Sequence, residues 1–283
     1  MRRDSRGVAL ILVLMVTGAL GLLMLQFGLT AREQTSRAQR LLDRANADLK
    51  LRSAQSQVLF DLATQPWEAN PEFPEQDSLV QRWSFDGKGF GEAGVDIAIQ
   101  DLSGLIPLPQ PGESTAVFQR TLEVIGIAPQ RAADLAARMR SLQASVDATP
   151  LQDLSELGPL LGLTGGEISQ LRMWTSLYPT PGFNPGTAPL PSLEVRFGGS
   201  VLNGLRDLRN EGRLDERNFF QVVGSSADEF TSFYPGPGFR ITTRISLGDV
   251  TAAEELTLSV DPYHSDPFVI WSRRRPSSAG GAP

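Results

Sequence analysis

The sequence predicts an α+β fold in which a long N-terminal helix packs on a small antiparallel sheet, with a large all-helical insert between strands. Three observations predict it. Residues 31–65 contain no proline or glycine and continue an apolar run without a break. Short runs alternating at strand period occur early, as in "GVDIAIQDL", and again late, in "FRITTRISLGD", "AEELTLSVDP" and "PFVIWS". Between them, residues 113–178 place apolar side chains at helical spacing. Strands on both sides of such an insert are expected to share one sheet.

Composition narrows the chemistry. With 41% hydrophobic and 20% charged residues among 283, the chain can bury a sizeable core. Its 26 Lys and Arg against 32 Asp and Glu give a net charge of -6, which argues against a nucleic-acid partner, since phosphate binding needs a concentrated basic surface. The absence of cysteine removes disulfides, Cys-zinc sites and thiol nucleophiles. His264 is the single histidine, and in the turn-like "DPYHSDP" it reads as a solvated loop residue rather than a triad member or metal ligand. No G-x-S-x-G is present, and Glu254 and Glu255 would alternate faces in a strand, so the sequence reads as a structural protein and not an enzyme.

The first element is apolar around its whole circumference. From Val8 through Ala31 there is no charge, and Gln26 is the one strongly polar residue. At about 1.5 Å per residue, roughly twenty such residues cross the 30 Å hydrocarbon core of a bilayer. The run is too long for the apolar region of a secretory signal, and no small-residue cleavage site follows it. Arg2, Arg3 and Arg6 against Asp4 precede it, and Arg32, Arg37, Arg40 and Arg44 against Glu33 and Asp43 follow it, so charge asymmetry does not orient the span.

A short basic leader ends in Gly7, and the apolar run starts abruptly at Val8. This junction resembles the leader of type IV prepilins and of the pseudopilins of type II secretion. The resemblance implies cleavage between Gly7 and Val8 by a membrane prepilin peptidase, N-methylation of Val8, and retention of the apolar helix. The family carries glutamate at the fifth mature position, where this chain has Leu12. A carboxylate in apolar surroundings needs a partner, and in the filament that glutamate meets a neighbour's terminal amine. The member that lacks it is the minor pseudopilin called general secretion pathway protein K, at the tip of the pseudopilus, where no neighbour lies ahead.

The helix is expected to continue to Thr64, roughly 85 Å at about 1.5 Å per residue. Ala38, Leu41, Leu42, Ala45 and Leu49 form a stripe, extended by Val58, Leu59 and Leu62 after a drift of phase, giving one face to lay on a sheet or on neighbouring subunits. Prolines 66, 71 and 74 end it. "SLVQRWSFDGKGF" and "GVDIAIQDL" then read as a hairpin turning at "DGKG"; the glycines of "GKGFG" imitate a phosphate loop, but no Lys-Ser/Thr follows.

The insert is expected to hold four helices, in "STAVFQRTLEVIGI", "APQRAADLAARMRSLQ", "PLQDLSELGPLLG" and "TGGEISQLRMWTSLY". The stretch "DLSELGPLLGLTGGEISQLRMW" resembles the helix-hairpin-helix or SAM-like units of the K pseudopilins. Arg172 is its one basic residue against Asp153, Glu156 and Glu167, which favours packing over DNA binding. "PTPGFNPGTAPLPS" reads as irregular, and Asn184, Thr187 and Ala188, with Gly186 in place of an asparagine, resemble the family's Asn-x-Asn-Thr-Ala segment. "SVLNGLRDLRNEGRLDERNFFQVVG" reads as one or two helices, the three late runs complete the sheet, and "RRRPSSAGGAP" reads as a disordered tail.

The expected organisation is a leader, residues 1–7; a long helix, 8–64, spanning the membrane over 8–30; a pilin-like β domain, 65–110 plus 235–272; an inserted helical domain, 111–234; and the tail, 273–283. The resemblance implies a single-pass inner-membrane protein with its globular part in the periplasm. It further implies a role in capping and initiating the pseudopilus with partners of the I and J types and the major pseudopilin. A component of a related type IV pilus and a plain bitopic envelope protein are the alternatives. No cofactor is required; calcium is admitted because family members bind it in the globular domain. Asp249, Asp261 and Asp266 are acidic loop donors, but their spacing matches no ligand loop and no metal ligand is assigned.

Overall fold

The computed structural model describes residues 4–67, 78–91, 94–109, 114–144, 151–224, 230–261 and 263–275, with side chains at Leu10 and from Leu12 onward. Helix α1 runs unbroken over Asp4–Thr64, 61 residues, or roughly 90 Å at about 1.5 Å per residue. It starts before the Val8 expected from the apolar edge, because nothing between Asp4 and Gly7 opposes helix. Pro66 follows its last turn, and the Trp67 indole donates to the Leu62 carbonyl at 2.9 Å, which folds the departing chain back over the helix end. Prolines 71 and 74 lie outside the described residues.

A short helix, α2 (Leu79–Arg82), precedes a sheet of five strands. These are β1 (Asp86–Phe90), β2 (Val95–Asp101), β5 (Gly238–Leu247), β6 (Val250–Val260) and β7 (Phe268–Arg274), in the order β1-β2-β5-β6-β7 and antiparallel throughout. The early hairpin thus sits beside the late strands in one sheet, and the insert leaves and re-enters between β2 and β5. The hairpin differs from its reading in the sequence: "DGKG" lies in β1, and the reversal falls between Gly91 and Gly94. Gly87, with φ of 79°, takes up the irregular register between Asp86 and Gly89, and a Cβ at Gly89 would meet the Asp96 carboxylate across the ladder. The tail reading is corrected as well, since Arg273 and Arg274 belong to β7; residues 276–283 lie outside the described residues.

One face of the sheet is dry and covered by α1. Val58 and Leu62 pack with Phe85, Ile99, Phe239, Ile241, Leu256 and Leu258, and nearer the N-terminus Ala47 and Leu51 pack on Ile245. Burial at this spacing is worth about 1.5–3 kcal/mol per large side chain, the main force holding the rod to the sheet.

The insert carries its own cores. Helices α3 (Ala116–Val124), α4 (Pro129–Gln143) and α5 (Gly165–Trp174) enclose Phe118, Leu122, Leu135, Met139 and Leu171. "PLQDLSELGPLLG" is not an α-helix: a 3-10 turn over Leu154–Glu156 and a π turn over Gly158–Gly162 still bury Leu154, Leu157 and Leu161. A glycine-proline start and a glycine at the end explain why helical spacing survives without α geometry. Two short strands, β3 (Ile106–Pro107) and β4 (Thr175–Ser176), pair in parallel at the stem of this unit. A second unit follows, with α6 (Leu190–Phe197), α7 (Gly199–Asn210) and α8 (Glu216–Val223) around Phe183, Leu193, Leu205 and Phe219. Helix α6 begins inside the stretch read as irregular linker; Pro191 stands in its first turn, where proline is tolerated.

Candidate functional site

Helix α1 is the largest continuous surface of the molecule, and its faces are divided. Leu10 and the side chains from Leu12 through Leu29 stand bare, with Leu12 62% exposed, and the helix is long and apolar enough to cross a membrane. Gly7 and Val8 lie within its first turns, and their side chains are outside the described ones. Three hydroxyls of this half return to the helix's own backbone, Thr17 to the Val13 carbonyl at 2.9 Å, Thr30 to Gln26 at 3.0 Å and Thr35 to Ala31 at 2.9 Å, so they need no outside partner.

Beyond the apolar half, only the later part of the stripe seen in the sequence, Val58 and Leu62, meets the sheet, and its earlier part does not. Ala47, Leu51, Val58 and Leu62 are buried, whereas Leu41, Leu42 and Leu49 are 59–70% exposed, and Phe60 is 59% exposed. At about 100° per residue the exposed set centres roughly 160° away from the buried set, on the opposite side of the rod. The drift of phase between Leu49 and Val58 therefore separates two faces, one filled by the sheet and one open.

The globular part itself is tied together by polar knots at three places. Asp101, at the end of β2, is fully buried and accepts from the Ser103 amide (2.9 Å) and hydroxyl (2.6 Å), Asn184 Nδ2 (3.1 Å), the Thr187 hydroxyl (3.0 Å) and the Gly236 amide (3.2 Å). Asn184 Oδ1 in turn accepts from the Gly186 amide at 2.9 Å. A Cβ at Gly104 would stand 2.7 Å from the Thr187 hydroxyl and 2.8 Å from the Ala188 amide, so a glycine is needed where this loop crosses β2's exit. Burial pushes the Asp101 carboxyl above its ordinary value, while the bonds from Ser103, Thr187 and Gly236 pull the other way. The Asn184, Thr187 and Ala188 segment noted in the sequence is thus the strap that ties the junction between the insert's two helical units to the end of β2, where Asp101 also holds Gly236 ahead of β5.

On the face of the sheet away from α1, Arg240 donates to the carbonyls of Arg172 and Thr175, the latter at 2.9 Å, and so caps the C-terminal end of α5. Burial lowers its pKa, with the Glu255 carboxylate acting against that. Arg172 pairs with Asp153 at 2.7 Å and Glu255 at 3.4 Å. Burial alone would raise Asp153, but the bonds from Arg172 and Ser155 outweigh it and hold the carboxyl well below the usual range. Within the first helical unit, Arg131 grips Glu167 with both guanidinium nitrogens, lowering Glu167 to about 2. The basic and acidic residues of this stretch are therefore spent on one another, as the packing reading requires.

Glu254 and Glu255 do point to opposite sides of β6. Glu254 meets Arg273 and Arg275 on the helix side, where Arg275 also reaches Asp48 of α1, and Glu255 meets Arg172 and Arg274 on the other. His264 is exposed, its Nδ1 accepting from the Asp266 amide at 3.2 Å. Asp249 precedes β6 and Asp261 follows it, which puts them about 40 Å apart at about 3.3 Å per residue. Asp249 and Asp261 cannot share an ion, and among the described residues no group of three or more acidic or histidine side chains is placed to hold a metal.

Asp101 and Arg240 were not singled out in the sequence. An aspartate two residues before a serine amide and an arginine within an alternating apolar strand were the available signals.

No family model matches the sequence, and no curated protein matches it. The chain is similar to a chain in the crystal structure of the GspK-GspI-GspJ complex from the enterotoxigenic Escherichia coli type 2 secretion system. The identity is 17%, over 88% of this chain and 99% of that one, with a TM-score of 0.47.

Proposed function

We propose that the chain is a minor pseudopilin of a type II secretion system, of the general secretion pathway protein K kind. In this reading it is held in the inner membrane by α1 with its globular part in the periplasm. Trimming between Gly7 and Val8 by the prepilin peptidase and methylation of Val8 produce the mature protein, which then joins I- and J-type pseudopilins and the major pseudopilin. The observation that carries this reading is the division of α1. The rod is continuous from Asp4 to Thr64, the sheet covers only its lower half on one side, and Leu41, Leu42, Leu49 and Phe60 remain bare on the other. A plain anchor needs an apolar span but no apolar stripe beyond the bilayer; a subunit that exchanges lipid for sister helices needs both. Leu12 leaves the span without a charge, which suits a subunit with no neighbour ahead.

Amino-terminal sequencing of the mature protein tests the reading. A start at methylated Val8 is the expected outcome, and an intact Met1 would return the chain to the simple bitopic anchor. The tip position rests on bulk: the helical insert leaves no room for another subunit above it. Deleting residues 113–178 should allow growth beyond this subunit, and finding the shortened protein still confined to fibre tips would count against the steric account.

A further inference from the structure

The face of the sheet away from α1 is not closed by the insert. Helix α5 stands over it only at its C-terminal end, and a cleft of about 620 Å³ remains between the two. Its floor crosses every strand of the sheet, from Gly87 on β1 through Ala98, Thr242 and Glu255 to Arg274 on β7. Five strands about 4.8 Å apart make a trough roughly 19 Å long, the length of about six residues of extended chain at 3.3 Å each. Its wall is apolar, formed by Met173, 56% exposed, and Trp174.

The charge of the trough is opposite to that of the molecule. Arg172, Arg240 and Arg274 meet the carboxylates of Asp153 and Glu255, leaving one guanidinium in excess. At the β1 end Asp86 is offset by Lys88 at 2.6 Å and lies within the field of Arg209. This positive excess sits in a chain of net charge -6. The pairing is also uneven. Arg172 holds Asp153 at 2.7 Å, while Glu255 is shared between Arg172 and Arg274 at 3.3–3.4 Å. Arg240 spends two donors on carbonyls at the end of α5, and several guanidinium N–H groups of Arg240 and Arg274 are left over. Because Arg240 is anchored to α5 and Arg274 to β6, both are fixed before anything arrives, so little side-chain freedom is lost on binding.

We propose that this trough is a docking site for an extended acidic peptide segment of a partner protein, its carboxylates received by Arg240 and Arg274 and its apolar side chains laid against Met173 and Trp174. The length fits a short extended segment, the alternation of an extended chain presents charge to the floor and apolar groups to the wall, and the excess positive charge selects acidic sequences. The site stands apart from α1 and holds whether or not the chain assembles into a fibre.

The test uses the full chain in detergent micelles and a fluorescein-labelled hexapeptide of alternating glutamate and alanine, followed by fluorescence anisotropy. Saturable binding that weakens with salt is expected, with no binding of the lysine-alanine counterpart. Arg274→Ala should weaken it by about tenfold, the effect of losing one charge-assisted hydrogen bond. Thr242→Trp, which fills the floor without removing any charge, should abolish it, with the far-ultraviolet circular dichroism of both variants unchanged. Equal binding of the two peptides, or unaltered affinity in Thr242→Trp, would overturn the proposal. Displacement of the peptide by an equal concentration of inorganic phosphate would overturn the peptide reading in favour of a simple anion site.

Discussion

At the scale of single residues, a few buried charges decide how distant stretches of the globular part are joined. Asp101 receives donors from β2's own exit, from the Asn184 loop and from the start of β5, so one side chain joins three stretches of chain. Asp101→Asn replaces an accepting oxygen with a donor facing other donors, and should cost about 2–4 kcal/mol, read from the guanidinium midpoint of the full chain in detergent. A loss below 0.5 kcal/mol would mean the knot is dispensable, by the usual limit for surface changes. Glu167 predicts a pH effect. Its folded pKa of about 2 lies below the ordinary glutamate value of 4.5, so the stability it adds is complete above that value and is lost as pH falls towards 2. The difference in melting temperature between the parent and Glu167→Gln should therefore shrink steadily over that interval and be unchanged from pH 6 upward. Asp101 has the opposite sign. The folded state keeps its proton longer than the unfolded chain, so ionising it costs stability as pH rises from the ordinary aspartate range towards the raised value. Little of this was legible beforehand, because only the Ser103 donors are local, and Asn184, Thr187 and Gly236 reach Asp101 from positions more than 80 apart in the chain.

Among the elements, α1 was the most legible and also the most misleading. Its length follows from the absence of helix breakers, and its end from Pro66. Its buried face followed from the stripe only at Val58 and Leu62, since Leu41, Leu42 and Leu49 look as apolar as Leu51 until the sheet selects one side. The hairpin was misplaced for a related reason. Glycine marks a turn in most sequences, but Gly87 and Gly89 serve a bulge and a close cross-strand approach. The two leucines closest in sequence on opposite faces give a direct test. Leu51, 1% exposed, packs on Ile245, and Leu51→Ala should cost about 2–4 kcal/mol in the isolated protein. Leu49, 65% exposed, should cost under about 0.5 kcal/mol there. Under the proposed function, Leu49→Ala should instead weaken co-purification with I- and J-type partners while Leu51→Ala loses folded protein. If both variants lowered monomer stability alike, the open face would have to be reassigned to intramolecular packing.

For the whole molecule, the order helix, strands, insert, strands was readable because early and late runs share strand period and can satisfy their edges only in each other. The internal architecture of the insert was less so, since Pro191 and the glycines around Leu160 disguise both a helix and a π turn. The separation of cores leads to a further expectation. The apolar side chains between α1 and the sheet come from residues 47–99 and 239–268, and those of the first helical unit from residues 108–177, with no member in common. Replacing residues 113–178 by a short Gly/Ser linker should therefore leave the five-stranded sheet folded on α1. The replacement removes the carbonyls that Arg240 caps, the Arg172 bridge to Glu255 and the Tyr178 ring stacked on Trp271. It leaves Asp101 with all its partners, which lie at Ser103, Asn184, Thr187 and Gly236. The shortened protein should thus unfold cooperatively but at a lower temperature, with amides of Ile241 and Leu256 still among the slowest to exchange. Rapid exchange at these two positions would show that the insert is part of the sheet's folding unit. Slow exchange would mean that this variant reports on the steric role of the insert in fibre growth and not on a misfolded subunit.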